Sequence, residues 1–290
     1  MRPSTLFLLL CLTLLVGCAG RSNAQNDTAG AAAIENIGSD TMVNLALAWA
    51  EAYQTDHSDA RISVTGGGSG TGIASLINGT ADIANASRAM KQEERAEAQA
   101  NGIQPVEIPV ARDAIAVIVH PDNPVESLTL QQISDIYSGQ ITNWKEVGGE
   151  DRPIVLLSRE TNSGTHVYFL EQVVRLGDAK NGTLFSPDTL LLPSSEGITA
   201  EVRQNPNAIG YDGLGYVTPD VKTVAVATDP GAPHVKPSIA SVNAGQYPIA
   251  RPLFMYTNGE PDGMIKDYVD WILGPQGQAV VAELGFVPLN

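Results

Sequence analysis

Three short segments carry residues that could hold a small anion. They are Gly38-Ser39-Asp40-Thr41-Met42, the run GGGSGTG at 66–72, and Asn162-Ser163-Gly164-Thr165-His166. Each places small hydroxyl residues or glycine where an extended pattern gives way to a helical one. The first N–H groups of a helix have no partner within it and sit at a dipole end of roughly +0.5 charge, so they favour an anion. Glycine lets a ligand reach the backbone, and Ser and Thr add O–H donors. The same residues also serve as plain N-caps. Capping suits GSDT well and GGGSGTG poorly, since one cap needs one side chain; a hinge or tight packing is the other account of those glycines.

Two arginines complete the set. Arg88, in NASRAM, follows a predicted strand at its C-terminal end, where ligands of open α/β sheets bind. Arg159, in SRETNSGT, precedes the third loop. A guanidinium grips an oxyanion through two parallel bonds and stays charged, although a lone arginine more often makes a surface salt bridge.

Other chemistries find no support. GGGSGTGI fails G-x-G-x-x-G in every register, and Ile73 stands where a Walker loop needs lysine. Thr71 occupies the final glycine of a G-x-S-x-G elbow. The histidines, at 57, 120, 166 and 234, show no metal-ligand spacing, and His166 suits a structural or rim position. No carboxylate pair announces acid–base work. The residues therefore point to binding without a metal, a cofactor or catalysis.

The elements that position these loops read as α/β. Met42, Leu45, Ala46, Trp49, Ala50 and Tyr53 lie at helical spacing. RISVT and ADIANAS read as strands, GIASLING as a short helix, SGTHVYFLEQVVRLG as a helix closed by Gly177, and MIKDYVDWILGP as an amphipathic helix with a Gly-Pro stop. Two long extended runs, near 105–120 and 246–257, are candidate crossovers between two lobes. Lobe 1 is then 34–112 plus 254–290, and lobe 2 is 113–253. A cleft between lobes is a ligand site.

Of the 290 residues, 43% are apolar and 17% charged, a globular composition. The net charge of −15 argues against a nucleic-acid partner and gives an anion no long-range attraction. Any anion site here works through short-range donors. The leader, residues 1–17, has one arginine before an apolar run too short for a comfortable membrane span, the layout of a secretory signal. Leu15-Val16-Gly17-Cys18 resembles a bacterial lipobox, with an ordinary signal peptide as the alternative. Residues 18–33 then form a flexible tether. The two cysteines are Cys11 and Cys18, so cleavage before Cys18 leaves a folded domain without a disulfide.

IGSDTM, TGGGSGTGIASLINGTADIANASR, ITNWKEVGG and SRETNSGTHVYF, in this order and spacing, resemble the phosphate-binding proteins of bacterial high-affinity phosphate ABC importers. The similarity runs from about residue 34 to the end. It implies a two-lobed type II periplasmic-binding fold that closes on one phosphate ion; the alternatives are another tetrahedral oxyanion (sulfate, molybdate or arsenate) and a secreted phosphate-ester hydrolase that uses the same anion loops. It also implies a monomer, lipid-anchored outside the cytoplasmic membrane, that serves a permease and its ATPase. By motif it implicates Ser39, Asp40 and Thr41; Ser69, Gly70 and Thr71; Ser87 and Arg88; and Arg159, Ser163, Gly164 and Thr165. Some members carry aspartate where Arg88 stands, to accept the proton of bound phosphate. Asp40 is the candidate substitute, with capping of the following helix as its rival role. Some members also place an acid two residues after the loop arginine. Here that position is Thr161, so Glu160 or another acid would orient Arg159.

Overall fold

The computed structural model describes residues 33–289. Strands β1 (Ala33–Gly38), β2 (Arg61–Thr65), β3 (Ile83–Ala86), β4 (Pro105–Val119), β5 (Ser127–Thr129), β6 (Val155–Arg159), β7 (Leu190–Leu192), β8 (Ala208–Gly213), β9 (Lys222–Thr223), β10 (Ala225–Ala227) and β11 (Ala250–Asn258) alternate with helices. These are α1 (Val43–Asp56), α2 (Ser69–Ile77), α3 (Gln92–Ala100), α4 (Leu130–Tyr137), α5 (Gly164–Phe169), α6 (Ser195–Gln204), α7 (Ile239–Asn243), α8 (Gly263–Leu273) and α9 (Pro275–Glu283).

One sheet runs in the order β2-β1-β3-β11-β4-β8-β6-β7. In its first half β1 pairs parallel with β2 and β3, and in its second half β6 pairs parallel with β7 and β8. The long strands β4 and β11 lie antiparallel between the halves. Helices cover both faces of each half, so buried strands read as apolar runs rather than alternating ones. In the first lobe Met42, Leu45, Trp49 and Tyr53 of α1 pack with Tyr268 and Ile272 of α8 on one face. Ile73, Leu76 and Ile77 of α2 pack on the other. In the second lobe Ile133, Ile136, Tyr137 and Phe169 fill one face, and Ile198 and Val202 of α6 the other.

The crossover strands change core along their length. Val110 and Ala111 of β4 belong to the first lobe, whereas Ala114, Ile115, Val117 and Val119 belong to the second. Leu253 and Met255 of β11 pack in the first lobe, and Ala250 packs against the second.

Two elements differ from the sequence expectation. The helix in GIASLING begins earlier, at Ser69, because Gly67 and Gly68 take positive φ values of 119° and 98° and turn the chain directly into it. The helix after Ser163 is α-helical only to Phe169 and continues as a π turn over Leu170–Val174. The expected leader, lipidated Cys18 and most of the tether lie outside the described residues.

Candidate functional site

The loops after β1, β2, β3 and β6 all leave the carboxyl ends of parallel strands, and they converge where the two halves of the sheet meet. Ser39 follows β1: its N–H donates to Asn85 O at 2.8 Å, and its Oγ is buried without a partner. Thr41 Oγ1 lies 2.7 Å from Thr165 Oγ1, so a hydroxyl from each lobe meets in the cleft. Ser69 Oγ accepts from Ser87 N at 3.0 Å and lies 3.3 Å from Ser87 Oγ.

Gly164 closes this wall. A Cβ there would stand 2.3 Å from Ser69 Oγ and 2.5 Å from Ser87 Oγ, so any side chain at 164 would push both hydroxyls out of this arrangement. As the first residue of α5 its N–H has no partner within the helix. Ser163 Oγ accepts from Thr165 N at 3.2 Å and caps α5. Outside the cluster, Gly70 N donates to Asn162 O at 3.0 Å and Asn162 Nδ2 donates to Gly67 O at 2.8 Å, a reciprocal clasp between lobes. Thr71 Oγ1 donates back to Gly67 O at 2.7 Å and is spent within its own loop.

The charged residues take unequal places. Arg159 is only 1% exposed and is fixed on several sides. It donates to Ser195 Oγ at 2.7 Å, Pro193 O at 2.8 Å and Leu192 O at 3.3 Å, and pairs with Asp40 Oδ2 at 2.9 Å. That same Asp40 oxygen accepts from Ser195 N, at the start of α6, at 3.0 Å. Asp40 therefore caps a helix of the opposite lobe rather than its own, whose start carries no side-chain cap. It is also the acid that orients Arg159 in place of the residue at 161. Arg88 turns to Glu94, donating to both carboxylate oxygens at 2.8 and 2.6 Å, and only its Nε remains buried without a partner. Burial works against the charge on Glu94, but the bonds from Arg88 and Lys91 N–H hold its carboxyl below the usual range.

A domain model described as a PBP superfamily domain matches residues 23–276. The phosphate-binding protein PstS of Pseudomonas aeruginosa is 36% identical over 88% of this chain and 83% of its own length. The chain belongs to this family of phosphate-binding proteins. PstS of Bacillus subtilis is 31% identical over 92% of the chain and 84% of its own length. A phosphate ABC transporter substrate-binding protein from Clostridium perfringens, solved with bound phosphate, superposes with a TM-score of 0.79 at 35% identity, covering 89% of this chain and 100% of that one. An ABC-type phosphate transport receptor from Vibrio cholerae gives 0.70 at 28% identity, covering 88% and 99%.

Within this phosphate-binding family fold, the loop residues named from sequence come together as Ser39, Thr41, Ser69, Ser87, Gly164 and Thr165. Thr71 and most of Arg88 face elsewhere, for the local reasons given. Sequence reading missed three buried charges. Arg251 donates to Asp113 Oδ2 through Nε at 3.3 Å and NH2 at 2.9 Å, to Ser87 O at 2.8 Å and to Thr165 Oγ1 at 2.9 Å. Asp113 also accepts from Leu214 N at 3.2 Å. Asp212, wholly buried on β8, accepts from Gly213 N at 2.8 Å. A visible signal did exist: each is a charge set inside an apolar strand, in VARDAIAVIV, YPIARPLFMY and AIGYDGLGY. Such a charge is buried only with a partner or a purpose.

Proposed function

We infer that this protein binds inorganic phosphate outside the cytoplasmic membrane and delivers it to an ABC importer, with no covalent chemistry. One observation carries the reading: hydroxyls from both lobes and the free N–H of Gly164 converge on one small cleft, with Arg159 fixed beside it by Asp40, the chain neighbour of Ser39 and Thr41. The relatives named for phosphate binding give the ligand.

The mechanism is dehydration and enclosure. Ser39, Thr41, Ser69, Ser87 and Thr165 supply hydroxyls, and Gly164 supplies a helix-start amide with its dipole. Arg159 supplies charge, held in place by Asp40. Arg88 contributes at most its Nε, and Ser163 acts by shaping the start of α5. The lobes are 34–112 with 254–290, and 113–253, turning about the crossover strands. Such fixed donors are worth more in a site that excludes water. The leader and Cys18 fit a lipid-anchored monomer on the outer face of the membrane.

Calorimetry with phosphate and sulfate tests this, alongside a phosphatase assay with and without divalent metal. The expected result is tight phosphate binding, much weaker sulfate binding and no hydrolysis. Equal affinities would instead favour a general receptor for tetrahedral oxyanions.

A further inference from the structure

Three carboxyl and two guanidinium groups lie together here: Asp40, Asp113, Asp212, Arg159 and Arg251. Arg88 is already matched by Glu94. Three carboxylates thus face two guanidinium groups before any anion enters. Asp113 pairs with Arg251, and Asp40 with Arg159, each at 2.9 Å. Asp212 is left over. Its Oδ1 accepts from the adjacent Gly213 N, its Oδ2 is buried without a partner at hydrogen-bond distance, and the Ser195 hydroxyl is the other donor beside it.

The groups that face Asp212 are Arg159 from β6, Ser195 from α6, Asp113 from β4, Tyr216 from the turn after β8, and its neighbour Tyr211. Arg159 is the cation among them, and it already serves Asp40, Ser195 Oγ, Pro193 O and Leu192 O. A buried carboxylate oxygen with no donor is costly, whereas the neutral acid removes a charge and gains a donor.

We propose that Asp212 takes up one proton when the cleft closes on its anion, so that phosphate binding is coupled to proton uptake. The coupling rests on the phosphate reading above. In the open form Asp40 withdraws from Arg159 with its lobe, leaving that guanidinium to Asp212, and water reaches the site. Closure brings Asp40 and the anion onto Arg159, and Asp212 must then share its counter-ion with both. The proton comes from solvent and settles on the Asp212 carboxylate; no covalent bond of the ligand changes. Burial raises this carboxyl to about 7, against the pull of Arg159, the Gly213 N–H and Ser195, while Asp113 adds to the rise. The sign follows. The pKa is higher in the closed form, so binding is strongest below the open-form pKa. It weakens by up to about tenfold per pH unit as pH rises toward the closed-form value.

The test is calorimetry of inorganic phosphate binding in buffers of different ionisation enthalpy, on the wild-type protein and on Asp212→Asn. The ligand's own titration is common to both. The wild type should take up about half to one proton more than the variant at neutral pH. The variant, which mimics the neutral acid, should bind at least as tightly as wild type at pH about 8.5 and with a flatter pH profile. Equal proton uptake by the two proteins overturns the proposal. Should the variant not fold, carbon-13 NMR of wild type labelled at the Asp carboxyls replaces it. One carboxyl should move to its protonated position when phosphate is added at neutral pH, and unchanged carboxyl signals overturn the coupling. No heat of phosphate binding to the wild type in any buffer would instead overturn the phosphate reading itself, and the coupling with it.

Discussion

Asp113 and Arg251 stand opposite one another on β4 and β11, in contact at 2.9 Å, at the level where both strands pass from one core to the other. Arg251 also reaches Ser87 O in the first lobe and Thr165 Oγ1 in the second. One guanidinium thereby joins the pivot to both walls of the cleft.

Arg251→Met should destabilise the phosphate-free protein by about 3–5 kcal/mol, because it leaves a buried carboxylate unpaired. Pairing it with Asp113→Leu should recover much of that loss, since apolar side chains of similar volume often replace a buried ion pair without penalty. Urea denaturation of both variants measures the difference. A single variant as stable as wild type would show that Asp113 is neutral in the fold.

Gly164→Ala should spare folding and block closure. The added methyl would stand 2.3 Å from Ser69 Oγ, a contact made only when the lobes meet. Phosphate affinity should fall at least a hundredfold, on the order of 3 kcal/mol, with urea stability changed by less than about 1 kcal/mol. Small-angle scattering should show that phosphate no longer compacts the variant.

Asp40→Asn should weaken phosphate and sulfate in the same ratio. Its carboxylate acts through Arg159 and the start of α6, so the loss is one of positioning, on the order of tenfold. A collapse of the phosphate-over-sulfate preference alone would show instead that Asp40 reads the ligand's proton directly.

The two arginines should separate. Arg159→Ala removes a fixed charge from the cleft and should cost phosphate affinity a hundredfold or more. Arg88→Ala should cost far less affinity, about tenfold or below, because most of that guanidinium is already bound to Glu94. Calorimetry on the two variants ranks them, and equal losses would place Arg88 fully in the site.

Ionic strength should speed phosphate capture. The chain carries a net charge of −15, which repels an approaching anion, and salt screens that repulsion beyond about 10 Å at 0.1 M. Stopped-flow association rates at rising sodium chloride test it, and a falling rate would reveal a local field that attracts anions.

The donors were legible because they are local. Glycine and hydroxyl side chains at strand ends announce themselves within a few residues, as GGGSGTG and NSGT do, and the two long apolar runs mark the crossovers. Partnerships across the chain were not legible. Asp40 meets Ser195 at a sequence separation of 155, and Arg251 meets Asp113 at 138. Nothing local to either member specifies the other. Arg88 shows the opposite limit: its neighbour Glu94, six residues on, claims it once α3 turns the carboxylate back toward the strand end. A motif match carries the residue type, but not the direction that a nearby acid gives it.

The clasp formed by Asn162, Gly67 and Gly70, with the bond from Asn44 to Glu196 at 3.0 Å, joins the lobes through protein groups alone. None of these bonds uses the ion, so an empty molecule that shuts makes the same ones at its outer face. An importer cued only by that face would turn over on empty carriers. What distinguishes the loaded carrier is then how long it stays shut: the ion adds dwell time rather than a new shape.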